Sequence, residues 1–459
     1  MAVSSAAPGL NLSALRAAKE VFRENKTLTL VSSSGGPDGG VWAGKVYFAE
    51  HEGDLYVALE QGRNFRNVRA NPRVFFVIEH GTPTRFLQGE GIAEVLGDIA
   101  ERPERHIIFR HAFELVAFAK SFPGVQVVRI RPTRLYISDF TGDWQPRAEV
   151  EVDERVREAF RTTLRMPRPR WQSYLQAVRA FSFTVTLMPV LAGALLADTL
   201  DWRWLTLTLL GSLLLHAGVN VLSDFSDYRR GADTWTVLGS SRVLVDGWLT
   251  PREVLWFGLA LLLLGGAVGV LLAAARGPAV LWFGLAGVVL GVGYTWQPLG
   301  LKYRALGDLA VFLAFGPLMT LGAYYVQERA LAWPPAVVAI PLGLLTVGVL
   351  HGNNFRDVAE DQRSGYRTLA QLLGPRGSSV YYLLLVVGAY AAVVVSAFPG
   401  VLPAWTLLAL LSAPLAWRNV RIAFRPVRVA FTFLDLLTAQ LHLVFGLLLV
   451  LGLLLARLA

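Results

Sequence analysis

The stretch from Asn353 to Leu369, NNFRDVAEDQRSGYRTL, follows an almost uncharged run from Pro334 to Leu350. It nevertheless concentrates Arg356, Asp357, Glu360, Asp361, Arg363 and Arg367. On a helix, Asn353, Asp357 and Asp361 stand at i, i+4 and i+8 and share one face. Acidic and amide oxygens grouped in this way suit a hard cation such as Mg2+, which keeps part of its water and bridges to phosphate. One such cluster is equally well an ordinary solvated loop. A second cluster changes that reading. Asn220 to Thr234, NVLSDFSDYRRGADT, also ends an apolar run and sets Asn220, Asp224 and Asp227 at i, i+4 and i+7. Asn220 and Asp224 precede Asn353 and Asp357 by 133 residues, while Arg229, Gly231 and Thr234 precede Arg363, Gly365 and Thr368 by 134. A polar constellation repeated in apolar surroundings implies two halves facing one site.

The chain that must position these clusters has 459 residues, of which 54% are hydrophobic and 17% charged, with the charge unevenly spread. Roughly the first 170 residues have the composition of a soluble domain, and the rest consists mostly of apolar runs of about 20 residues, the length a bilayer core demands. The absence of cysteine excludes disulfides, thiolate catalysis and cysteine-ligated metals. The net charge of +9 is read as basic loops against anionic lipid, with no nucleic-acid partner expected. No basic cluster followed by an apolar core opens the sequence, so no signal peptide is expected.

Nine spans are expected within residues 173–459, as an all-α membrane bundle: 175–198, 203–222, 253–275, 277–295, 306–327, 334–352, 379–398, 400–417 and 433–456. With a cytoplasmic N-terminus, the loops returning to the cytoplasm carry fourteen Lys or Arg residues against four on the other side. This bias orients a multi-pass protein in the cytoplasmic membrane, with both Asp clusters and the soluble domain on the cytoplasmic side.

The N-terminal domain, residues 1–148, begins with a short helix, Leu12 to Glu24. Alternating segments follow at 27–31, 41–49, 55–58, 74–79, 86–96 and 125–137, bounded by turns such as SSSGGPDGG. They predict a small antiparallel barrel with a helix near 101–121. TLTLVSSSGG, GRNFRNVRANPRVFFVI, QGEGIAEVL and RIRPTRLYI resemble the flavin-binding split-barrel family that includes pyridoxamine 5′-phosphate oxidases. That resemblance implies a cofactor phosphate, FMN among the options, near Lys45 on the second strand and Arg63 and Arg66 in the basic loop. Members also bind a deazaflavin or haem, and the same arginines are equally a solvated turn. The linker, 149–172, reads as a solvated helix (149–164) followed by RMPRPRWQSY. There Arg165, Arg168 and Arg170 beside Trp171 and Tyr174 suit a headgroup region or a plain connector.

The membrane half resembles the UbiA superfamily of intramembrane prenyltransferases. The resemblance rests on the two motifs, on SSRVLVDGWLT and GYTWQPLGLKYRALGDL, and on RAFSFTVTLMPVLAG; the subgroup it most resembles prenylates 1,4-dihydroxy-2-naphthoate on the way to menaquinone. Ser223 departs from relatives that carry a second Asn there. The resemblance implies a polyprenyl diphosphate donor, an aromatic acceptor, and Mg2+ held by Asn220, Asp224, Asp227, Asn353, Asp357 and Asp361. Lys302 joins the four aspartates as catalytic, and Arg229, Arg230, Arg242, Lys302 and Arg356 are candidates to bind diphosphate. An allylic cation would be sheltered by aromatic faces, for which Tyr294, Trp296, Tyr303, Tyr324 and Tyr325 are candidates. Asp308 reads as a helix N-terminal charge, and His216 and His351 as packed or hydrogen-bonded helix residues. A transporter and a membrane-tethered flavin oxidoreductase are the competing classes.

Overall fold

A computed structural model describes residues 10–35, 40–79, 85–140, 147–164, 169–235, 239–363, 365–398, 400–425 and 428–459. Arg165, Arg168 and part of the SSSGGPDGG turn lie outside the described residues. The chain separates into two compact units, Met1–Arg168 and Pro169–Ala459.

In the first unit the alternating segments form β1 (Thr27–Ser33), β2 (Val41–His51), β3 (Asp54–Leu59), β4 (Arg73–Glu79), β5 (Arg85–Asp98) and β6 (Gln126–Asp139). All neighbours are antiparallel in the order β3-β2-β1-β4-β5-β6, and β3 also pairs with β6, which closes a six-stranded barrel. Closure requires strands that bend. The two longest, β5 and β6, supply this through register shifts at Glu90/Gly91 and Val95/Gly97. The helix Leu12–Glu24, capped by the Asn11 side chain, sends Leu15, Ala18, Val21 and Phe22 into the barrel core.

Three local expectations change. The basic loop is instead a helix, Arg63–Ala70, because its Asn67 and Val68 are buried and the Asn67 amide donates to Ser32 O and Oγ at 3.2 Å. The single helix near 101–121 is two, Arg105–His111 and Glu114–Ser121, parted at Ala112, whose backbone leaves the helical region. The supposedly solvated helix at 149–164 is a short strand, β7 (Ala148–Glu151), paired to β6, and a helix, Glu154–Arg161. Val156, Ala159 and Phe160, at helical spacing, bury that helix in the barrel core.

Among the described residues of the second unit seven helices are long and apolar enough to cross a membrane: Trp202–Arg229, Pro251–Arg276, Gly307–Glu328, Trp333–Arg356, Leu369–Ala397, Ala404–Phe424 and Leu434–Leu458. The pair Arg170–Ala177 and Ala180–Leu195, bent by 41°, makes an eighth if counted as one span. The expected ninth, 277–295, forms the helix Ala279–Thr295, which at 17 residues is shorter than the others. Its length of about 26 Å falls short of a hydrocarbon core of about 30 Å. Among the described residues the expected count of nine is not confirmed: seven helices, or eight with the bent pair, qualify by length and composition. Trp202–Arg229 packs closely on Pro251–Arg276 through glycines that let the backbones approach. A Cβ at Gly265 would stand 2.8 Å from the Leu215 side chain, whereas one at Gly266, on the outer face, would meet nothing within 4 Å.

Gly265→Val is expected to destabilise the purified protein by about 1–3 kcal/mol through overpacking. Gly266→Val is expected to leave it nearly unchanged, and thermal melting in detergent distinguishes the two.

Candidate functional site

The helix Trp202–Arg229 is unbroken, so Asn220, Asp224 and Asp227 share a face at its C-terminal end. At about 42 Å it is longer than a bilayer core is thick, which lets its charged end emerge at the boundary. The second motif is less regular. Trp333–Arg356 stops at Arg356, Asp357 caps it, and a new helix, Val358–Arg363, follows. Hydrogen bonds from Asp357 N to Asn353 O (3.1 Å) and from Asp361 N to Asp357 O (2.9 Å) carry the register across the break. The two motifs then end in the same turn. Gly231 and Gly365 have φ of 69° and 72°, and Ala232 N and Tyr366 N donate to Asp227 O and Asp361 O, each at 2.9 Å. Only glycine takes that left-handed position without penalty, which accounts for its place in the repeat.

Both motifs border one cavity of about 370 Å³. Its polar end is lined by Asn220, Asp227, Asp233, Lys302, Asn353, Asp357, Glu360 and Asp361. The remaining walls are apolar, with Val219, Leu215, Phe283, Phe315, Leu318 and Val326 among them. On Trp202–Arg229 the lining face extends from Asp227 back to Thr208, about 28 Å of helix. A charged group at one end and a long flexible hydrocarbon along the other fit this shape.

Each buried aspartate of the two motifs meets a cation. Asp224 forms an ion pair with Arg179 and accepts from Ser241 N at 3.0 Å, and it does not line the cavity. Asp227 accepts from Lys302 Nζ and from Tyr303 Oη, both at 2.8 Å. Burial works against the Lys302 ammonium, but Asp227 more than offsets it, and its pKa stands well above the ordinary lysine value. Asp357 is held by Arg356 at 2.6 and 2.9 Å, and Arg356 also pairs with Asp435 at 2.7 Å.

Several expected placements differ. Arg356 is spent on Asp357, Asp435 and the Asn353 side-chain oxygen, and Arg242 is buried against Asp246 at 3.1 and 3.3 Å. Neither lines the cavity. Arg229 and Arg230 are exposed, lying over the rings of Phe225 and Tyr303. Lys302 and Tyr294 do line it, while Tyr303 reaches the site through Asp227; Tyr324, Tyr325 and Trp296 are not lining residues. Asp308 lies in the first turn of its helix, 3.9 Å from His351 Nδ1. Arg179, Asp233 and Tyr366 also line the cavity and are absent from the sequence expectation. Arg179 carried a signal, being the single charge in the apolar run 175–197, and charges in such runs mark sites. Asp233 follows Gly231 within the first motif itself.

Among the described residues no group of three or more His, Cys, Asp or Glu side chains stands close enough to hold a metal by itself. The donors nevertheless suit Mg2+, which takes one or two carboxylates together with water and substrate phosphate in place of an all-protein cage. Burial pushes Asp361 up to about 7, with Lys302 opposing and Asp357, Asp227 and Glu360 adding. Burial, Asp227 adding and Lys302 opposing, likewise brings Asp233 to about 7. Crowded, dehydrated carboxylates of this kind lack positive charge, a shortage that a divalent cation relieves.

In the barrel, Lys45 projects from β2, and Arg63 and Arg66 lie on the helix Arg63–Ala70; all three are exposed, with Arg63 stacked 5.1 Å from the Trp42 ring centroid.

A helical unit with two Asp-rich helix ends over one long, mostly apolar cavity suits an intramembrane prenyltransferase, and the family match makes that class the chain's own. The chain belongs to the UbiA prenyltransferase family, which it matches over residues 186–434. It is 37% identical over 303 residues to UbiA prenyltransferase domain-containing protein 1 of Mus musculus, spanning 64% of this chain and 88% of that protein. A UbiA homolog from Archaeoglobus fulgidus, solved with GPP and Mg2+, aligns with 60% of this chain and 99% of its own at 16% identity and a TM-score of 0.43. HutZ, the heme storage protein from Vibrio cholerae, aligns with 26% of this chain and 91% of its own at 19% identity and a TM-score of 0.23.

Lys302→Met is expected to lower prenyl transfer at least about a hundredfold with the fold intact. Tyr303→Phe, which removes one hydrogen bond to Asp227, is expected to cost about tenfold. Arg242→Met strands the buried Asp246 and is expected to lower stability by about 3–5 kcal/mol. Melting and radiolabelled-transfer assays on the three variants separate these roles.

Proposed function

We propose that this protein transfers a polyprenyl group from a polyprenyl diphosphate to an aromatic acceptor, 1,4-dihydroxy-2-naphthoate, in menaquinone formation. The reaction takes place at the cytoplasmic face of the cytoplasmic membrane with Mg2+ as cofactor. The observation that carries this reading is the convergence of both Asp motifs on one end of a cavity that is otherwise long and apolar. The acceptor and the sidedness rest on motif resemblance and on the bias of basic residues between loops.

In this reading Asn220, Asp227, Asp233, Asp357 and Asp361 hold the cation, while Lys302 and Arg179 pair with diphosphate oxygens. Mg2+, when bound, acts as a Lewis acid toward the diphosphate. The allylic C–O bond breaks, the diphosphate keeps the electron pair, and an electron-rich ring carbon of the acceptor attacks the allylic cation. The ring then loses a proton to the departed diphosphate, which restores its aromaticity. Tyr294 and Phe315 line the cavity where the cation is sheltered, and the apolar walls exclude water. The barrel is proposed as an accessory domain for the quinone-type product or its precursor. Lys45, Arg63 and Arg66 would pair with a flavin phosphate, and FMN would supply redox chemistry; protein purified without yellow colour or bound cofactor would sink that part.

Purified protein with Mg2+ and a radiolabelled polyprenyl diphosphate is expected to label dihydroxynaphthoate, and Asp227→Ala and Asp361→Ala to abolish labelling. Hydroxybenzoate, a glycerol-phosphate lipid and an acceptor-free control complete the panel, and labelling of another acceptor would overturn the naphthoate assignment. Donor length is a second readout. Gly284 and Gly287 line the cavity, and a Cβ on either meets nothing within 4 Å. Gly287→Leu is expected to lose long donors while keeping dimethylallyl diphosphate. Gly284→Leu, about 4.5 Å further along the helix from Tyr294, should tolerate longer tails.

A further inference from the structure

On the helix Trp202–Arg229, His216, Asn220 and Asp224 stand at i, i+4 and i+8 on one face. All three are held by the bend between Arg170–Ala177 and the helix Thr184–Leu195. Asp224 pairs with Arg179, a residue in the left-handed region (φ 55°) at the bend itself. Asn220 Nδ2 donates to the Val178 carbonyl at 3.1 Å and to Ser182 Oγ at 3.2 Å. His216 lies 2.7 Å from Thr186 Oγ1 through Nδ1 and 3.3 Å from Ser182 Oγ through Nε2, with the ring centroids of Phe183 and Phe315 at 5.5 and 4.9 Å from its own.

The protons assign the directions. Ser182 Oγ has one hydrogen, and it goes to the Arg179 carbonyl at 2.9 Å. Toward His216 and Asn220 the hydroxyl is therefore an acceptor, so His216 carries its proton on Nε2 and accepts from Thr186 at Nδ1. An amide whose nitrogen is fixed by a carbonyl presents its oxygen the other way, and Asn220 lines the cavity. Asn353 in the second motif is held in the opposite sense, its oxygen accepting from Arg356. The two motifs are thus alike in sequence and unlike in the atom they offer.

We propose that His216 is a positioning residue, fixing Ser182 and through it the Asn220 amide, so that the first motif offers a neutral oxygen to a divalent cation. Ser182 serves the same end, and the bend that carries it is the part of the first span the site requires. This rests on the metal-dependent reading above. A partner that orients a metal ligand typically contributes ten- to a hundredfold in affinity.

The test is Mn2+ binding by electron paramagnetic resonance on the full chain in detergent with inorganic pyrophosphate, alongside the Mg2+ dependence of transfer. His216→Phe keeps a ring in contact with Phe183 and Phe315, and it and Ser182→Ala are each expected to weaken Mn2+ binding about tenfold. His216→Gln, which restores a donor toward Ser182, should recover most of the loss. In an Asn220→Ala background His216→Phe should add nothing, since the two act in series. Unchanged Mn2+ affinity in a folded His216→Phe, or a loss that adds fully to that of Asn220→Ala, would overturn the proposal. Should His216→Phe fail to fold, Ser182→Ala alone decides it: wild-type affinity there overturns it equally. Wild-type protein that binds no Mn2+ overturns the metal reading as a whole, whereas normal wild-type binding with unaffected variants overturns only the role of His216.

Discussion

A carboxylate buried at the end of a membrane helix stays an anion only if positive charge stands beside it. The second unit is arranged around that requirement. Asp224 is answered by Arg179, Asp227 by Lys302, and Asp357 by Arg356, itself shared with Asp435. These cations come from the bend of the first span, from a short turn after Ala279–Thr295 and from the second motif helix, and Asp435 comes from the last helix. Breaking one member of such a pair leaves the other charge dehydrated and unmatched, so the fold of the bundle and the charge balance of the site are one problem.

The pairing also leaves the site short of positive charge. Lys302 is committed to Asp227 and Arg179 to Asp224, so the cavity is lined by acids whose charge is incompletely balanced, Asp233 and Asp361 among them. In the proposed reaction a divalent cation with a diphosphate would add both signs at once. Below this polar end the lining face of a single helix continues for about 28 Å, so the cavity offers charge at one end and apolar contact along the rest.

The two motifs share a sequence pattern but not one geometry. Both finish in a left-handed glycine turn with the same backbone hydrogen bond. The first lies on an unbroken helix, whereas the second is interrupted at Asp357. Their asparagines are held by opposite ends of the amide, one through a bend of the neighbouring span and the other through an arginine on its own helix. A pseudo-symmetric sequence thus yields a site with two distinct sides, which suits a reaction in which one end of the substrate leaves and the other stays.

By itself the sequence determined the strands at 27–33 through 126–139 to within a few residues, the helix Leu12–Glu24, most of the spans and the two motifs. It also determined that Asn220, Asp224 and Asp227 share a face. All of these follow from local periodicity, 2 for strands and 3.6 for helices, and from turn residues such as Gly231 and Gly365. Tertiary structure alone decided which cation answers which acid. Arg242 and Arg356, correct in type and near in sequence, turned inward to Asp246 and Asp435, while Arg179, about 45 residues before Asp224, reached it through a bend that no periodicity announces. It likewise decided that 277–295 forms a helix shorter than the others and that 149–164 adds a strand to β6 and packs a helix on the barrel core. Spacing along one element fixes direction, whereas a partner across elements depends on how helices cross and where they break, and that information is spread over the whole chain.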